Sequence, residues 1–188
     1  MQPIIKSKQA HQSYSKKFMI NNLPTSELII RPATVADIPF IQDLATKTWP
    51  VAYGEILGTE QLHYMLDKFY SASSLEEQMR NKYYFFLALK DYNPVGFASF
   101  SQMEGKIYKL QKLYVLPETQ KSGTGNALLQ TVETVAKSMG GNKLQLNVNR
   151  NNVARSFYER NNFTIIEQED IDIGSGFFMN DYIMEKAL

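Results

Sequence analysis

The sequence contains no cysteine and only two histidines, His11 and His63. The first absence excludes disulfides, thiolate metal sites and a cysteine nucleophile. The second leaves too few imidazoles for a histidine-built metal site, so no metal is expected. Any serine–histidine pair would have to use His63. Charge of one sign is also missing: 20 basic and 19 acidic residues leave a formal charge of +1. A nucleic-acid-binding surface normally carries a basic excess, so no nucleic-acid partner is expected. No apolar run approaches the ~18 residues of a membrane span. The basic N-terminal stretch "MQPIIKSKQAHQSYSKKF" lacks the apolar centre of a signal sequence. No membrane partner is expected, and a cytoplasmic location is.

What remains is a chain of 188 residues with 44% hydrophobic content, enough for one real core. Residues 1–26 are polar, basic and aperiodic, and read as a flexible N-terminal extension. A single domain is expected over residues 27–188. It opens with a strand at Glu27–Arg31. A box-like helix start follows, with Thr34 as N-cap and Asp37 three residues on. Ile38, Ile41, Leu44, Ala45 and Thr48 then recur at helical spacing. "TEQLHYMLDKFYS" reads as a second helix, and "SSLEEQMRN" as a shorter piece capped by Ser73 or Ser74. "YYFFLALK", "VGFASFS" and "KIYKLQKLYVL" read as strands. Strict alternation in the last of these puts Lys109, Gln111, Leu113 and Val115 on one side. Tyr108, Leu110, Lys112 and Tyr114 fall on the other.

The stretch "QKSGTGN", Gln120–Asn126, separates that strand from an apolar helical stripe of Leu128, Val132, Val135, Ala136 and Met139, which Gly140-Gly141 stops. "KLQLNVN" is a strand and "NNVARSFYERNN" a helix with an Asn cap. "FTIIEQEDI" and "GFFMNDYIMEKAL" are the last strands. The order β-α-α-β-β-β-α-β-α-β-β implies a mixed α/β (α+β) fold. Its early half is antiparallel, and a βαβ crossover surrounds the glycine loop.

The glycine loop lacks the lysine of a Walker loop and the third glycine of a dinucleotide fingerprint. It does fit a pyrophosphate loop of the form [QR]-x-x-G-x-[GA]. Successive backbone N–H groups and a helix N-terminus make a donor cradle for anionic oxygens, and Lys121 adds a charge. From these residues alone, an ordinary strand-to-helix turn fits as well.

A second motif follows: Asn151, Ala154, Phe157, Tyr158 and Phe163 match N-x-x-A-x-x-F-Y-x-x-x-G-F, with Asn162 in the glycine position. Asn tolerates the left-handed conformation that such a helix stop needs. With both motifs in order, the sequence resembles the GNAT superfamily of N-acetyltransferases over Glu27 to Leu188. Its front half is similar to bacterial polyamine acetyltransferases of the spermidine/spermine kind. The resemblance implies a mixed, mostly antiparallel twisted sheet of about seven strands flanked by helices, splayed at the strand before the loop. It implies acetyl-CoA as co-substrate. Leu113, Tyr114 and Val115 would meet the pantetheine arm, and Gln120, Lys121, Ser122, Gly123, Thr124, Gly125 and Asn126 the pyrophosphate. Asn151, Ala154 and Tyr158 would complete the cofactor side.

Acetyl transfer to an amine needs a deprotonated amine, a polarised carbonyl and a proton for the departing thiolate. Helical geometry alone would make Tyr158 a packed aromatic beside Phe157. The resemblance implies that it is the acid, a role a phenol suits because it donates at neutral pH and has a pKa near that of a thiol. Asn151 doubles as a helix cap. For the base, Lys109 and Gln111 stand where relatives carry a carboxylate. Ordered water, backbone carbonyls, Glu104, Glu118 and His63 remain as alternatives. The acceptor, a small-molecule primary amine and conceivably a polyamine, is expected against Trp49, Tyr53 and Asp181. Tyr64, Phe69, Phe177, Glu55, Glu60 and Asp67 are further candidates. The absence of cysteine excludes an acyl-cysteine route and favours direct attack in a ternary complex. Two rival readings stay open: a non-catalytic CoA-binding regulator, and a protein or peptide N-terminal acetyltransferase. The outlying C-terminal strand is compatible with a homodimer.

Overall fold

The computed structural model describes residues 27–188. The expected extension over residues 1–26 lies outside the described residues. The chain enters through strand β1 (Leu28–Pro32) and a short 3₁₀ turn. Helices α1 (Ile38–Tyr53), α2 (Thr59–Tyr70) and α3 (Ala72–Arg80) come next. Strands β2 (Tyr84–Lys90), β3 (Asn93–Gln102) and β4 (Ile107–Val115) form a meander. Helix α4 (Thr124–Ser138) crosses to β5 (Lys143–Asn149). Helix α5 (Arg155–Arg160) and the hairpin β6 (Thr164–Gly174) and β7 (Phe177–Ala187) complete the domain. One seven-stranded sheet results, in the order β1-β2-β3-β4-β5-β7-β6. Every pairing is antiparallel except β4–β5, which the α4 crossover makes parallel.

The helical stripes face inward as their spacing requires. Ile38, Ile41, Leu44, Ala45 and Thr48 of α1 are all buried, as are Leu128, Val132 and Ala136 of α4. Full burial of a side chain such as Leu128 stabilises the fold by about 1.5–3 kcal/mol. Helix α3 starts one turn earlier than its serines suggest: Ser71 is the cap, and its hydroxyl accepts from the Ser74 N–H at 3.4 Å. At the entry to α1, Asp37 accepts from the Arg31 guanidinium at 2.7 and 2.9 Å and from the Thr34 N–H at 2.9 Å. This two-pronged contact holds the Asp37 carboxyl down to about 2.

Strict alternation fails in β4. Ser99 of β3 faces Lys112, but the next residue, Phe100, faces Leu110. Gln111 is therefore an extra residue, a β-bulge, and it reverses the facing of everything after it. Residues directly opposite one another share a face. Lys112 and Tyr114 thus join Lys109 on the face covered by α1–α3, where Tyr114 lies 6.0 Å from the Trp49 ring. Leu113 and Val115 move to the face of Tyr108 and Leu110, which α4 and α5 cover. The two-sided assignment made from the sequence is corrected by this one residue.

The pairing of β4 with β5 is also short. It runs from Ile107↔Lys143 to Leu110↔Leu146 and stops, although both strands continue. Beyond that point β4 stays with β3 up to Val115, and β5 stays with β7 up to Asn149. The sheet forks there.

Two stability measurements check these contacts. Asp37→Asn is expected to cost about 1–2 kcal/mol at pH 7, read by urea unfolding. A depressed carboxylate stabilises above its ordinary range and stops doing so as pH falls through about 2, so the cost should vanish there. Gly141→Ala should cost about 1–3 kcal/mol, because its Cβ would sit 2.6 Å from the Tyr108 ring and 2.8 Å from the Ala136 carbonyl. A cost-free Gly141→Ala would contradict the packing of the α4–β5 turn.

Candidate functional site

The fork between β4 and β5 is where the functional candidates gather. On its α4–α5 side opens a cleft of about 750 Å³. Leu113, Tyr114 and Val115 form one wall, Leu146, Asn147 and Val148 the other, and Ala154, Phe157 and Tyr158 part of the rim. On the α1–α3 side lies a smaller cavity of about 190 Å³. Both are lined by Tyr53, Gln111, Lys112, Tyr114 and Asn147, so they meet at the fork. Because β5 has left, the backbone groups of Gln111–Val115 that do not bond to β3 face the cleft without a strand partner. Such groups demand a hydrogen-bonding occupant.

The loop after β4 closes one end of the cleft. A 3₁₀ turn over Pro117–Thr119 leads to Gln120, and α4 starts at Thr124. Lys121 and Gly123 adopt positive φ of 63° and 89°, which only glycine takes without strain. Ala127 is the first residue whose N–H bonds back, to the Gly123 carbonyl at 3.0 Å. Among the described residues, none supplies an acceptor to the backbone N–H groups of Lys121 through Asn126. These donors and the start of α4 form a cradle suited to an anion. Gln120, Lys121, Gly123, Gly125 and Asn126 line the cleft. The side chains of Ser122 and Thr124 do not. The Ser122 hydroxyl donates to the Thr119 carbonyl at 2.6 Å and lies 3.0 Å from the Thr124 hydroxyl, so this pair ties the loop to itself.

Asn151 also departs from its expected place. Its side chain is exposed and caps nothing, and α5 begins only at Arg155. The next residue, Asn152, is buried, lines the cleft, and accepts from the Ala154 N–H at 2.8 Å. The reason is local: Asn149 Oδ1 already captures the Asn151 N–H at 3.0 Å, and this turn aims Asn152 inward instead. Periodicity could not reveal it, since the turn precedes the helix. Asn162 does stop α5, with φ of 65°.

Tyr158 is 8% exposed and stands on the cleft wall. Burial pushes its phenol well above the usual range, and nearby Tyr53 adds to the effect. Tyr53 and Tyr114 are 3.3 Å apart, hydroxyl to hydroxyl, and both are also raised, chiefly by burial. All three stay protonated at neutral pH and act as neutral donors.

The smaller cavity brings together Trp49, Tyr53, Phe69, Tyr70 and Asp181. Tyr64 and Phe177 do not reach it. Their rings pack on each other at 5.3 Å, and the Tyr64 hydroxyl donates to the Ile173 carbonyl at 2.7 Å. Glu55, Glu60 and Asp67 are exposed outside it, as are all three candidate side-chain bases, His63, Glu104 and Glu118. Glu104 falls in the β3–β4 turn and Glu118 in the 3₁₀ turn after β4, and neither lines either cavity. The carboxylate that does line the cavity is Asp181. It is 6% exposed, its one side-chain partner is the Asn147 amide at 3.4 Å, and burial raises its pKa. Two lysines share the lining. Burial pushes the Lys112 ammonium down to about 8, and its Nζ donates to Gln78 Oε1 at 2.7 Å. Burial also lowers Lys109, against the pull of Glu169 and Asp181. Lys112 escaped sequence reasoning because only the bulge brings it to this face.

Comparison with known proteins agrees with this geometry. Residues 56–182 match the family model described as an acetyltransferase (GNAT) domain. Over 163 residues, 84% of this chain and 95% of the relative, the sequence is 30% identical to a spermidine N(1)-acetyltransferase of Thermoplasma acidophilum. The PaiA N-acetyltransferase of that organism, solved in complex with coenzyme A, superposes with a TM-score of 0.74 at 27% identity. That match covers 86% of this chain and 99% of the other. The ribosomal-protein-S18-alanine N-acetyltransferase of Escherichia coli shares the fold at a TM-score of 0.65 and 18% identity, covering 86% of this chain and 94% of its own. A seven-stranded sheet forked after Leu110, a donor loop at the start of α4 and a matching family model lead to one assignment: the chain belongs to the GNAT family of acetyltransferases.

Proposed function

We propose that the protein transfers an acetyl group from acetyl-CoA to the primary amine of a small molecule, by direct attack in a ternary complex. The observation that carries this reading is the pair of cavities meeting at the fork. One presents the unpartnered N–H groups of Lys121 through Asn126 and an open strand wall, a fit for a pyrophosphate with an extended amide-bearing arm. The other presents a buried carboxylate among aromatic rings, a fit for an ammonium.

Bound acetyl-CoA would supply an acetyl thioester. Leu113, Tyr114 and Val115 would bind its arm through their free backbone groups, and Gln120, Lys121, Gly123, Gly125 and Asn126 its pyrophosphate. Ser122 and Thr124 would hold the loop in shape. Asn152 and Ala154 would complete the wall where Asn151 had been expected. An outward N–H of β4 would polarise the carbonyl. Asp181 would receive the acceptor ammonium and take its proton, a task that a raised pKa assists. Tyr158 would give its hydroxyl proton to the sulfur as the carbon–sulfur bond breaks and the carbon–nitrogen bond forms, and the second proton shed by the nitrogen would restore the Tyr158 phenol. Holding the two reactants on either side of the fork removes a bimolecular entropy cost of several kcal/mol.

The small volume of this cavity, about 190 Å³, favours a small molecule over a peptide or protein N-terminus. The polyamine reading draws on the Thermoplasma relative's name. A non-catalytic regulator would not need the buried Asp181 and Tyr158 on opposite sides of one fork.

Three variants test the scheme. Tyr158→Phe should lower kcat by about 10²–10³ with CoA affinity unchanged, read by thiol release and calorimetry. Asp181→Asn should lower kcat/KM for amines at least hundredfold and abolish the acid limb of its pH profile. Its thermal midpoint should hold or rise, because a nearly unpartnered buried carboxylate costs folding free energy. Gly123→Val should weaken CoA binding at least tenfold, because φ of 89° strains a branched residue while no neighbouring atom crowds its Cβ. Wild-type CoA affinity in Gly123→Val would remove the loop from the cofactor site. Acetyl-CoA binding without thiol release for any amine would remove the enzymatic reading.

A further inference from the structure

The charged groups lining the acceptor cavity are Asp181, Lys109 and Lys112, one acid against two bases. A cavity built for a polycation would carry the opposite balance. We infer that the acceptor carries a carboxylate or similar anionic group beside its reactive amine, with Asp181 facing the amine and Lys109 the anion. The inference rests on the acetyl-transfer reading above and names the substrate class of the same site.

Four observations carry it. First, neither Asp181 nor Lys109 closes an ion pair among the described residues, although the chain forms six elsewhere. Their N–O separation therefore exceeds the 4.0 Å limit for such a pair, yet each charge is felt at the other. Two opposite charges held apart, each half or more buried, leave room for a ligand with complementary charges at both ends. Second, Lys109 has no hydrogen-bond partner among the described residues. The neighbouring Lys112 is spoken for by Gln78 at 2.7 Å and by the rings of Tyr70 and Phe85 at 5.3 and 5.9 Å. Lys112 supplies background positive potential, and Lys109 is the cation available to touch a ligand. Third, the Asn147 Oδ1 atom is buried and unpartnered between the two cavities. Its amide group touches Asp181 at 3.4 Å, so an unmet acceptor stands beside the carboxylate, at the end proposed for the amine. Fourth, the charged groups around the rim do not reverse the sign. Glu169 lies opposite Asp181 on β6 and pulls on Lys109, but it is exposed and screened by water, while Arg150 pairs with Asp170.

The physical consequence is a choice between matched molecules. A second cationic centre on a diamine or polyamine would be driven against Lys109 and Lys112 in a poorly hydrated space. A carboxylate at that position would gain a charge-assisted contact. Like-charge juxtaposition of this kind is a common means of rejecting wrong partners.

Matched pairs that differ only in the carboxylate test the inference on the full chain with acetyl-CoA: L-lysine against cadaverine, and L-ornithine against putrescine, with spermidine as a further acceptor. The wild type should show at least a tenfold higher kcat/KM for the amino acid of each pair. Lys109→Met should shrink that ratio to near one, and Lys109→Glu should invert it in favour of the diamines. CoA binding by calorimetry in both variants establishes that they are folded. Calorimetry of the same amines with the wild-type CoA complex gives the preference without relying on turnover. A wild type that prefers cadaverine, putrescine or spermidine overturns the inference and leaves the acetyltransferase reading intact. The same holds for a ratio that Lys109→Met does not move. Thiol release with none of these amines, combined with no amine binding, overturns the reading on which the inference rests.

Discussion

The constraint on which everything else depends is that β4 and β5 cannot remain paired. Each is held by its other neighbour: β4 by β3 up to Val115, and β5 by β7 up to Asn149. The bulge at Gln111 turns β4 just where its pairing with β5 ends at Leu110. A sheet interior normally satisfies its backbone groups strand to strand. Here the second half of β4 is left with one open edge in the middle of the sheet, next to a helix start with free donors. The two cavities and the open wall of β4 between them follow from that fork.

Electrostatics at the fork run against ordinary folding economy. Among the described residues, the buried Asp181 side chain has a single long hydrogen bond, the half-buried Lys112 has only an amide and two rings, and Asn147 Oδ1 has no partner. Tyr53, Tyr114 and Tyr158 all line the larger cleft, and burial holds their hydroxyls neutral. Such groups cost stability when left unmatched, and their clustering at one place is the mark of a site arranged for a ligand. Elsewhere the domain is conventional: apolar helical stripes on both faces of the sheet, and ion pairs such as Arg31–Asp37 near the surface.

Much of this was legible in the residues. The seven strands, the helices, the crossover around "QKSGTGN" and the left-handed stop at Asn162 all follow from short-range rules of spacing, capping and turn chemistry. Tyr158 and the glycines stand on the cleft where the two motifs put them. Lys112 was assigned to the wrong face because alternation cannot register a bulge, which depends on how β3 pairs with β4. Motif spacing pointed to Asn151, but the turn that Asn149 builds directs Asn152 inward instead. His63, Glu104 and Glu118 had the right chemistry at positions the tertiary structure turns to solvent.

Local sequence by itself determined the order of elements and the donor loop, because helix periodicity, glycine conformation and capping act within a few residues. The tertiary structure alone decided which charges meet in the acceptor cavity. Asp181 comes from β7, Lys109 and Lys112 from β4, and Asn147 from β5, brought together across gaps of 34 to 72 positions in the chain by strand pairing. A register shift of one residue would send each of these side chains to the opposite face, so their convergence belongs to the assembled sheet and to no single segment.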